Sequence, residues 1–471
     1  MIARKIAYNI AFNTAAKILS TILALVAIGF ITRYLGKEGF GNYATALAFF
    51  SFFGAVADLG LYSISAREIS RKGADEKEIM GNVFTFRIIS SFFIFLLSPA
   101  LIMFLPYPQE VKIGITLSAA AFLFSSSYMV LNGIFQKNLA MDKVMAAELF
   151  GKVIQVGFII LAIKKDWGFM AIVSSLTLCM LVNFVLVFLL SRRYLKFGFR
   201  TNFAYWKKFL KMSFPMGASV MITFLYFKMD TIILSIIKSG AEVGIYNAAY
   251  KIIENITFFP AMIIGLVLPL MSRYIFIDRK KFESISNKTF KVFCVLVVPL
   301  ITGTLFLAEK IIRLIGGANF MESANVLRIL IFALVFIFFG HFFNSVLLAG
   351  NLQKKLMKVL AVCAVFNIGT NLIAIPRYSY NGAAFISVFT EMLVVALTFY
   401  LTAKNLKYKP KIEKWKSFLF SGLAMAAFLF IFRELNLFLL AFGSSLVYFI
   451  FLWLTKSISK REILSIVGKN A

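Results

Sequence analysis

Residues 10–31 read IAFNTAAKILSTILALVAIGFI, and this stretch decides what kind of molecule the chain is. An α-helix needs about 20 predominantly apolar residues to cross a bilayer. No small-residue cleavage site leading into a soluble domain follows, so the run reads as an uncleaved first span rather than a signal peptide. Lys17 lies inside it. A cation in hydrocarbon costs on the order of 2.5–3.5 kcal/mol even on a lenient scale, so it ordinarily faces a polar cavity.

The same texture continues outward over all 471 residues. The chain is 61% hydrophobic and 15% charged, with a mean hydropathy of +0.87. A soluble domain carries about a quarter charged residues, so this is an all-α integral membrane protein. About fourteen spans start near Ile10, Gly41, Asn82, Val111, Val144, Phe169, Ser213, Val243, Thr289, Asn325, Met357, Asn381, Ser417 and Asn436. The thirteenth is short. The net charge of +29 does not indicate nucleic-acid binding, because the basic residues cluster between apolar runs. Placing the N-terminus and alternate loops inside puts about 34 basic residues in the cytoplasm and about 11 outside. The expectation is a multi-pass protein of the inner or plasma membrane with both termini cytoplasmic. Trp167, Trp206, Trp415 and Trp453 fall at span ends, and Phe203–Met212 reads as a short amphipathic helix on the inner surface. Cys179, Cys294 and Cys363 have no metal-ligand spacing and read as apolar filler.

An internal repeat organises the spans. Gly41-x-Tyr43-x-x-Ala46 opens the second span and Gly244-x-Tyr246-x-x-Ala249 opens the eighth. Ala162-Ile163 with Gly168-x-x-x-Ile172 is echoed by Ala374-Ile375 with Gly382-x-x-x-Ile386. Residues 1–200 then form a six-helix lobe, 201–404 its like-oriented repeat, and 405–471 a basic linker, helices 13 and 14 and a tail. Two such bundles around a central cavity suit alternating access at a midplane site.

Five basic residues lie within spans: Lys17, Arg87, Lys152, Lys228 and Lys251. Together they imply a path shaped for an anionic head-group. Glu148 and Lys152 are four apart, and Lys251 and Glu254 three apart, so each pair either neutralises itself locally or faces the cavity. Arg87 is near the inner end of its span and either snorkels or joins the site. Lys17 and Lys228 have no acid on the same helical face. Asp58, Asp230, Glu254, Glu391 and His341, the one histidine, are candidates for ion coupling; His341 also suits a packing role. Asn367 and Asn371 are placed to bond across helices. Pro215, Pro260 and Pro269 suggest kinks in the seventh and eighth spans. No nucleotide loop, metal cluster or nucleophile–base set is present, so no enzyme activity and no cofactor are expected.

The run Arg33–Tyr43 (RYLGKEGFGNY) and Asp58-Leu59-Gly60-Leu61 with Arg67 carry a family likeness. So do Phe214-Pro215, Asp230, Val243–Ala249, Pro269 with Ser272 and Ala349-Gly350-Asn351. Asn367 through Asn371 to Ile375-Pro376, and Gly382-Ala383-Ala384, complete the set. The chain resembles the polysaccharide-biosynthesis flippases, O-antigen flippases among them, of the multidrug/oligosaccharidyl-lipid/polysaccharide exporter superfamily. The resemblance implies flipping of a polyprenyl-diphosphate-linked oligosaccharide from the inner to the outer leaflet, with the tail left in the bilayer. It also implies membrane lipids and pathway glycosyltransferases, polymerase or ligase as partners. Basic residues of the first and eighth spans would line the cavity, which here are Lys17 and Lys251. Lysine offers phosphate a point charge where relatives often offer the planar arginine fork. The alternative within the superfamily is a multidrug cation antiporter, which would need acids to dominate the cavity.

Overall fold

The computed structural model describes residues 2–455 apart from 59, 72 and 413, with side chains from residue 12 onward apart from 57–59, 63, 72, 215, 216, 219 and 413. These residues form fourteen α-helices and, among the described residues, no strand. The first seven are α1 (Ile2–Asp58), α2 (Leu61–Ile69), α3 (Glu76–Met103), α4 (Gln109–Lys137), α5 (Met141–Lys164), α6 (Gly168–Ser191) and α7 (Phe203–Ile237). The others are α8 (Gly240–Ile256), α9 (Phe258–Tyr274), α10 (Arg279–Gly316), α11 (Ser323–Ala349), α12 (Gln353–Leu406), α13 (Trp415–Ile431) and α14 (Leu437–Leu454).

Among the described residues, eleven helical stretches are long and apolar enough to cross a membrane. Two of them are double. The 57 residues of α1 would extend about 85 Å, far beyond a hydrocarbon core of about 30 Å. Gly36 breaks the helix with φ 67° and ψ −172°, a conformation glycine adopts without a Cβ clash. In α12, 54 residues long, Ser379 makes the same kind of break with φ 50° and ψ −135°. With those doubled and α13 (17 residues) added, the stretches correspond to the fourteen expected spans.

Local chemistry explains two further boundaries. The eighth span is divided at Thr257, between α8 and α9. Pro260 lacks an N–H and its ring clashes with the carbonyl four residues earlier, at Ile256, where α8 ends. Phe203–Met212 is not a separate surface helix as expected from sequence. It runs without interruption into the seventh span, so α7 has 35 residues, started by Asn202 accepting the Tyr205 amide at 3.1 Å. Its ten residues contain no glycine or proline, and the helix continues past Pro215 into the apolar run.

Two compact units divide the chain. One comprises Met1–Asn247 with Asn367–Ala383, the other Ala248–Phe366 with Ala384–Ala471. In the first, α4 is the central helix, packed by α1, α2, α3 and α6. Its Gly114, Ser118, Ser126 and Gly133 are buried small residues that allow backbones to approach. In the second, α11 is packed by α9 and α10. The apolar middles of α4 and α11 are both 61% buried, against at most 39% for the other nine of these stretches. They are the fourth and tenth spans, six apart.

The second unit ends in the α13–α14 pair, docked on α10 through Val295, Leu307, Phe418, Met425, Leu440 and Leu452. Pro299 lies inside α10 and has no N–H to give to the Val295 carbonyl four residues earlier. Tyr448 of α14, fully buried, donates its hydroxyl to that oxygen at 2.9 Å. The partner helix thus supplies the bond that the proline withholds.

Candidate functional site

A polar cluster fills part of the first unit's interior. Lys17 of α1 is half-buried and its charge acts on the Glu148 carboxylate of α5, which lies beside the Tyr128 hydroxyl of α4. Lys152, one turn beyond Glu148, is half-buried and donates to Gln155 Oε1 at 2.9 Å. Tyr128 also neighbours Asn183 of α6, whose Nδ2 donates to Cys179 Sγ at 3.9 Å. Cys179, a turn from Asn183, feels both Lys152 and Glu148. Asn183 is buried, and its Oδ1 has no hydrogen-bond partner. Gly151 makes room for it: a Cβ there would sit 2.0 Å from that oxygen. Two predicted cations and one predicted acid are therefore brought together, with Tyr128, Gln155, Cys179 and Asn183 beside them.

Arg87 takes neither route to the inner surface nor an exposed position. It is 2% exposed on α3, donates Nε to the Ser126 carbonyl of α4 at 3.3 Å, and lies 5.8 Å from the Phe122 ring. Ser91 and Ser126 hydroxyls meet at 2.5 Å beside it. Lys251 is half-buried and forms an ion pair with Glu254 at 2.8 Å, the local pairing the i,i+3 spacing allows. Lys228 of α7 is half-buried.

Asp230 is buried two residues further along α7, where Tyr246 donates to Oδ2 and the Thr231 amide to Oδ1 at 2.7 Å. Thr231 Oγ1 reaches Asn247 Oδ1 at 3.4 Å. Tyr246 belongs to the second copy of the G-x-Y repeat. The two copies also touch. A Cβ on Gly41 would lie 1.7 Å from the Gly240 carbonyl oxygen, and one on Gly244 would lie 2.1 Å from that of Lys37. Each glycine meets the residue four before its counterpart, so the contact is reciprocal. Backbones this close leave space for hydrogen alone.

The start of α8 is fixed by a capping box. The Ser239 amide and hydroxyl donate to Glu242 Oε2 at 3.1 and 3.0 Å, and the Ser379 hydroxyl donates to Glu242 Oε1 at 2.6 Å. Lys238 Nζ donates to the Pro376 carbonyl at 3.1 Å. These bonds tie the α7–α8 turn to the break in α12. Asn371 Nδ2 donates to Asn367 Oδ1 at 3.1 Å along their own helix, and Asn371 Oδ1 lacks a partner. Glu391 is 6% exposed beside Cys363 and makes no ion pair among the described residues. His341 is half-buried on α11, near Asn344, whose Oδ1 is likewise unsatisfied. The Asp58 and Pro215 side chains lie outside the described residues. Among those described, no three His, Cys, Asp or Glu side chains gather as metal ligands.

Comparison with known proteins agrees with this architecture. Over 397 residues the chain is 24% identical to a putative O-antigen transporter of Shigella flexneri, covering 80% of this chain and 92% of the relative. It is 22% identical over 436 residues to a probable low-salt glycan biosynthesis flippase, Agl15, of Haloferax volcanii, covering 89% and 88%. Among solved structures, the lipid II flippase MurJ in an inward closed conformation superposes with a TM-score of 0.74 at 17% identity, over 96% of this chain and 99% of that one. An inward-facing multidrug-resistance MATE transporter gives 0.66 at 16%, over 84% and 98%. The fold is thus the one these transporters share. A MatE profile matches residues 215–373, and the profile described as polysaccharide biosynthesis protein matches residues 6–275, more than half of the chain. By that match the chain belongs to the polysaccharide biosynthesis protein family.

Proposed function

We propose that this protein carries a polyprenyl-diphosphate-linked oligosaccharide from the inner to the outer leaflet by alternating access between two lobes, 1–200 and 201–404. The observation that carries the reading is the pair of lysines, Lys17 and Lys152, in a polar cluster inside helices that otherwise face hydrocarbon. The names of the Shigella and Haloferax relatives support the same cargo.

In this mechanism Lys17, Lys152, Lys228 and Lys251 replace water around the diphosphate, while Tyr and Asn side chains take sugar hydroxyls. Arg87, clamped to a backbone carbonyl, holds α3 on α4 and sets the electrostatic field from behind. A phosphate entering beside Lys17 competes with Glu148 for its charge, and the freed carboxylate is then ready to take a proton. Asp230, Glu254, Glu391, His341 and Asp58 are the further candidates for ion coupling. The reciprocal Gly41–Gly244 contact closes the outward side. The six-span offset between the two most buried helices, α4 and α11, fits the duplicated arrangement.

Neutralising Lys17 and Lys228 together tests the reading. In proteoliposomes loaded with a short polyprenyl-diphosphate glycan, K17Q/K228Q at normal expression is expected to flip at least about tenfold more slowly. An unchanged rate removes both lysines from the path. The MatE match keeps a cation antiporter as the second reading, and energised export of a cationic dye by the intact chain would favour it.

A further inference from the structure

The linker between α12 and α13 is built as a strap with one charged face. Lys404, Lys407, Lys409, Lys411, Lys414 and Lys416 are all exposed, six lysines within thirteen residues. The strap is not loose. Tyr408, 2% exposed, donates to Asn287 Oδ1 at 2.8 Å, and the Lys411 amide donates to the same oxygen at 3.1 Å. Arg279 donates to the Lys407 carbonyl at 3.1 Å and lies 5.9 Å from the Tyr408 ring, which meets Phe282 edge-on at 5.3 Å. Lys407 and Lys414 both have left-handed backbones, φ 48° and 57°, so the chain turns sharply at each end. With Tyr408 directed inward, the lysines remain outside.

Two exposed apolar groups stand among them. Ile412 is 47% and Trp415 52% exposed, with Lys416 Nζ 5.9 Å from the Trp415 ring. The turn between α9 and α10, in the same unit, repeats the composition: Phe276 and Ile277 are 66% and 78% exposed beside exposed Arg273, Lys280 and Lys281. The neighbouring acids are largely engaged. Glu283 is held by Arg279 at 2.8 Å, and Asp278 caps α10. Glu413 lies outside the described residues.

Lysines ranged around a Trp and an aliphatic side chain match the phosphate level of a lipid surface: charges meet phosphate oxygens while the apolar groups enter the upper acyl region. A soluble phosphate ligand would use the charges and leave four large apolar side chains in water. We propose that the 404–416 strap, with the α9–α10 turn, binds the phosphate-bearing headgroups of anionic phospholipids. The inner-leaflet placement rests on the proposed topology; lipid binding itself does not require transport.

Native mass spectrometry of the detergent-solubilised full chain provides the test, with phosphatidylglycerol and phosphatidylcholine titrated separately. The wild type is expected to retain phosphatidylglycerol about tenfold more tightly, with the preference shrinking as salt rises. K409Q/K411Q/K414Q/K416Q is expected to lose it, the four-arginine equivalent to keep it, and K164Q/K165Q to leave it unchanged. If the quadruple glutamine variant fails to fold, K411Q/K416Q carries the same comparison at half the effect. Equal phosphatidylglycerol retention in a folded glutamine variant overturns the proposal. So does displacement of the lipid by millimolar inorganic phosphate, which would assign the strap to a soluble anion. Absence of glycan flipping by the wild type would refute the transport reading and leave this result standing.

Discussion

At Gly151 one hydrogen occupies the place where any other residue would set a carbon 2.0 Å from Asn183 Oδ1 and 3.2 Å from the Cys179 carbonyl. Gly151→Ala is expected to cost about 1–3 kcal/mol by overpacking, read as a lower thermal midpoint in detergent. Shortening the opposite side chain in G151A/N183A should recover much of the loss. Equal midpoints for wild type and G151A would mean the helices are not that close. Asp278 provides a second residue-scale case, on the water side of α10. The Lys281 amide, bonded to its carboxylate, holds it below the usual aspartate range of about 3.9. With the folded value depressed, its capping contribution is full above the unfolded value and lost as pH falls through the folded one. Amides of residues 279–282 should therefore exchange faster at pH 3 than at pH 6 after intrinsic-rate correction, and D278A should abolish that difference. Sequence showed the cluster's cations, because a charge inside an apolar run is conspicuous. It did not show Tyr128, Gln155 or Asn183, since uncharged polar residues are common in membrane helices and only tertiary packing brings these three to Lys17 and Glu148.

Among the elements, α10 and α14 depend on one another through a missing amide. Tyr448→Phe leaves the Val295 carbonyl buried without a donor, at a cost of about 1–3 kcal/mol. Pro299→Ala restores a helical N–H to that carbonyl, so P299A/Y448F should be less damaged than Y448F alone. Simple additivity in that thermal-unfolding cycle would refute the link. The helices themselves, and the places where α1 and α12 divide, were readable from apolar length, whereas the backbone of those joints was not. The polar stretches Arg33–Glu38 and Arg377–Asn381 read as loops between spans, but Gly36 and Ser379 each turn the chain with a single residue. The same limit explains α7: its amphipathic start differs in composition from the span that follows, yet the helix runs on through Pro215.

For the whole molecule, the membrane potential is the expected driving term. An inside-negative potential favours outward movement of an anionic head by about 2.3 kcal/mol per charge per 100 mV, and return of an emptied cationic site inward. Collapsing the potential with valinomycin and potassium in proteoliposomes should slow flipping; an unchanged rate would eliminate the voltage contribution. Sequence matched Gly41-x-Tyr43 with Gly244-x-Tyr246. That these two stretches would touch was not legible, because a shared pattern says nothing of adjacency.

The seam between Gly41 and Gly244 has a mechanical consequence. It joins two peptide planes through van der Waals contact and Cα–H···O approaches, individually weak, with the Asn42 and Glu38 side chains packed against Gly240 beside it. Such a seam draws its cohesion from closeness of fit, so any added carbon at either glycine is felt directly by the facing carbonyl. A bulkier residue at either position is expected to push the two backbones apart, read as a lower thermal midpoint of the detergent-solubilised protein.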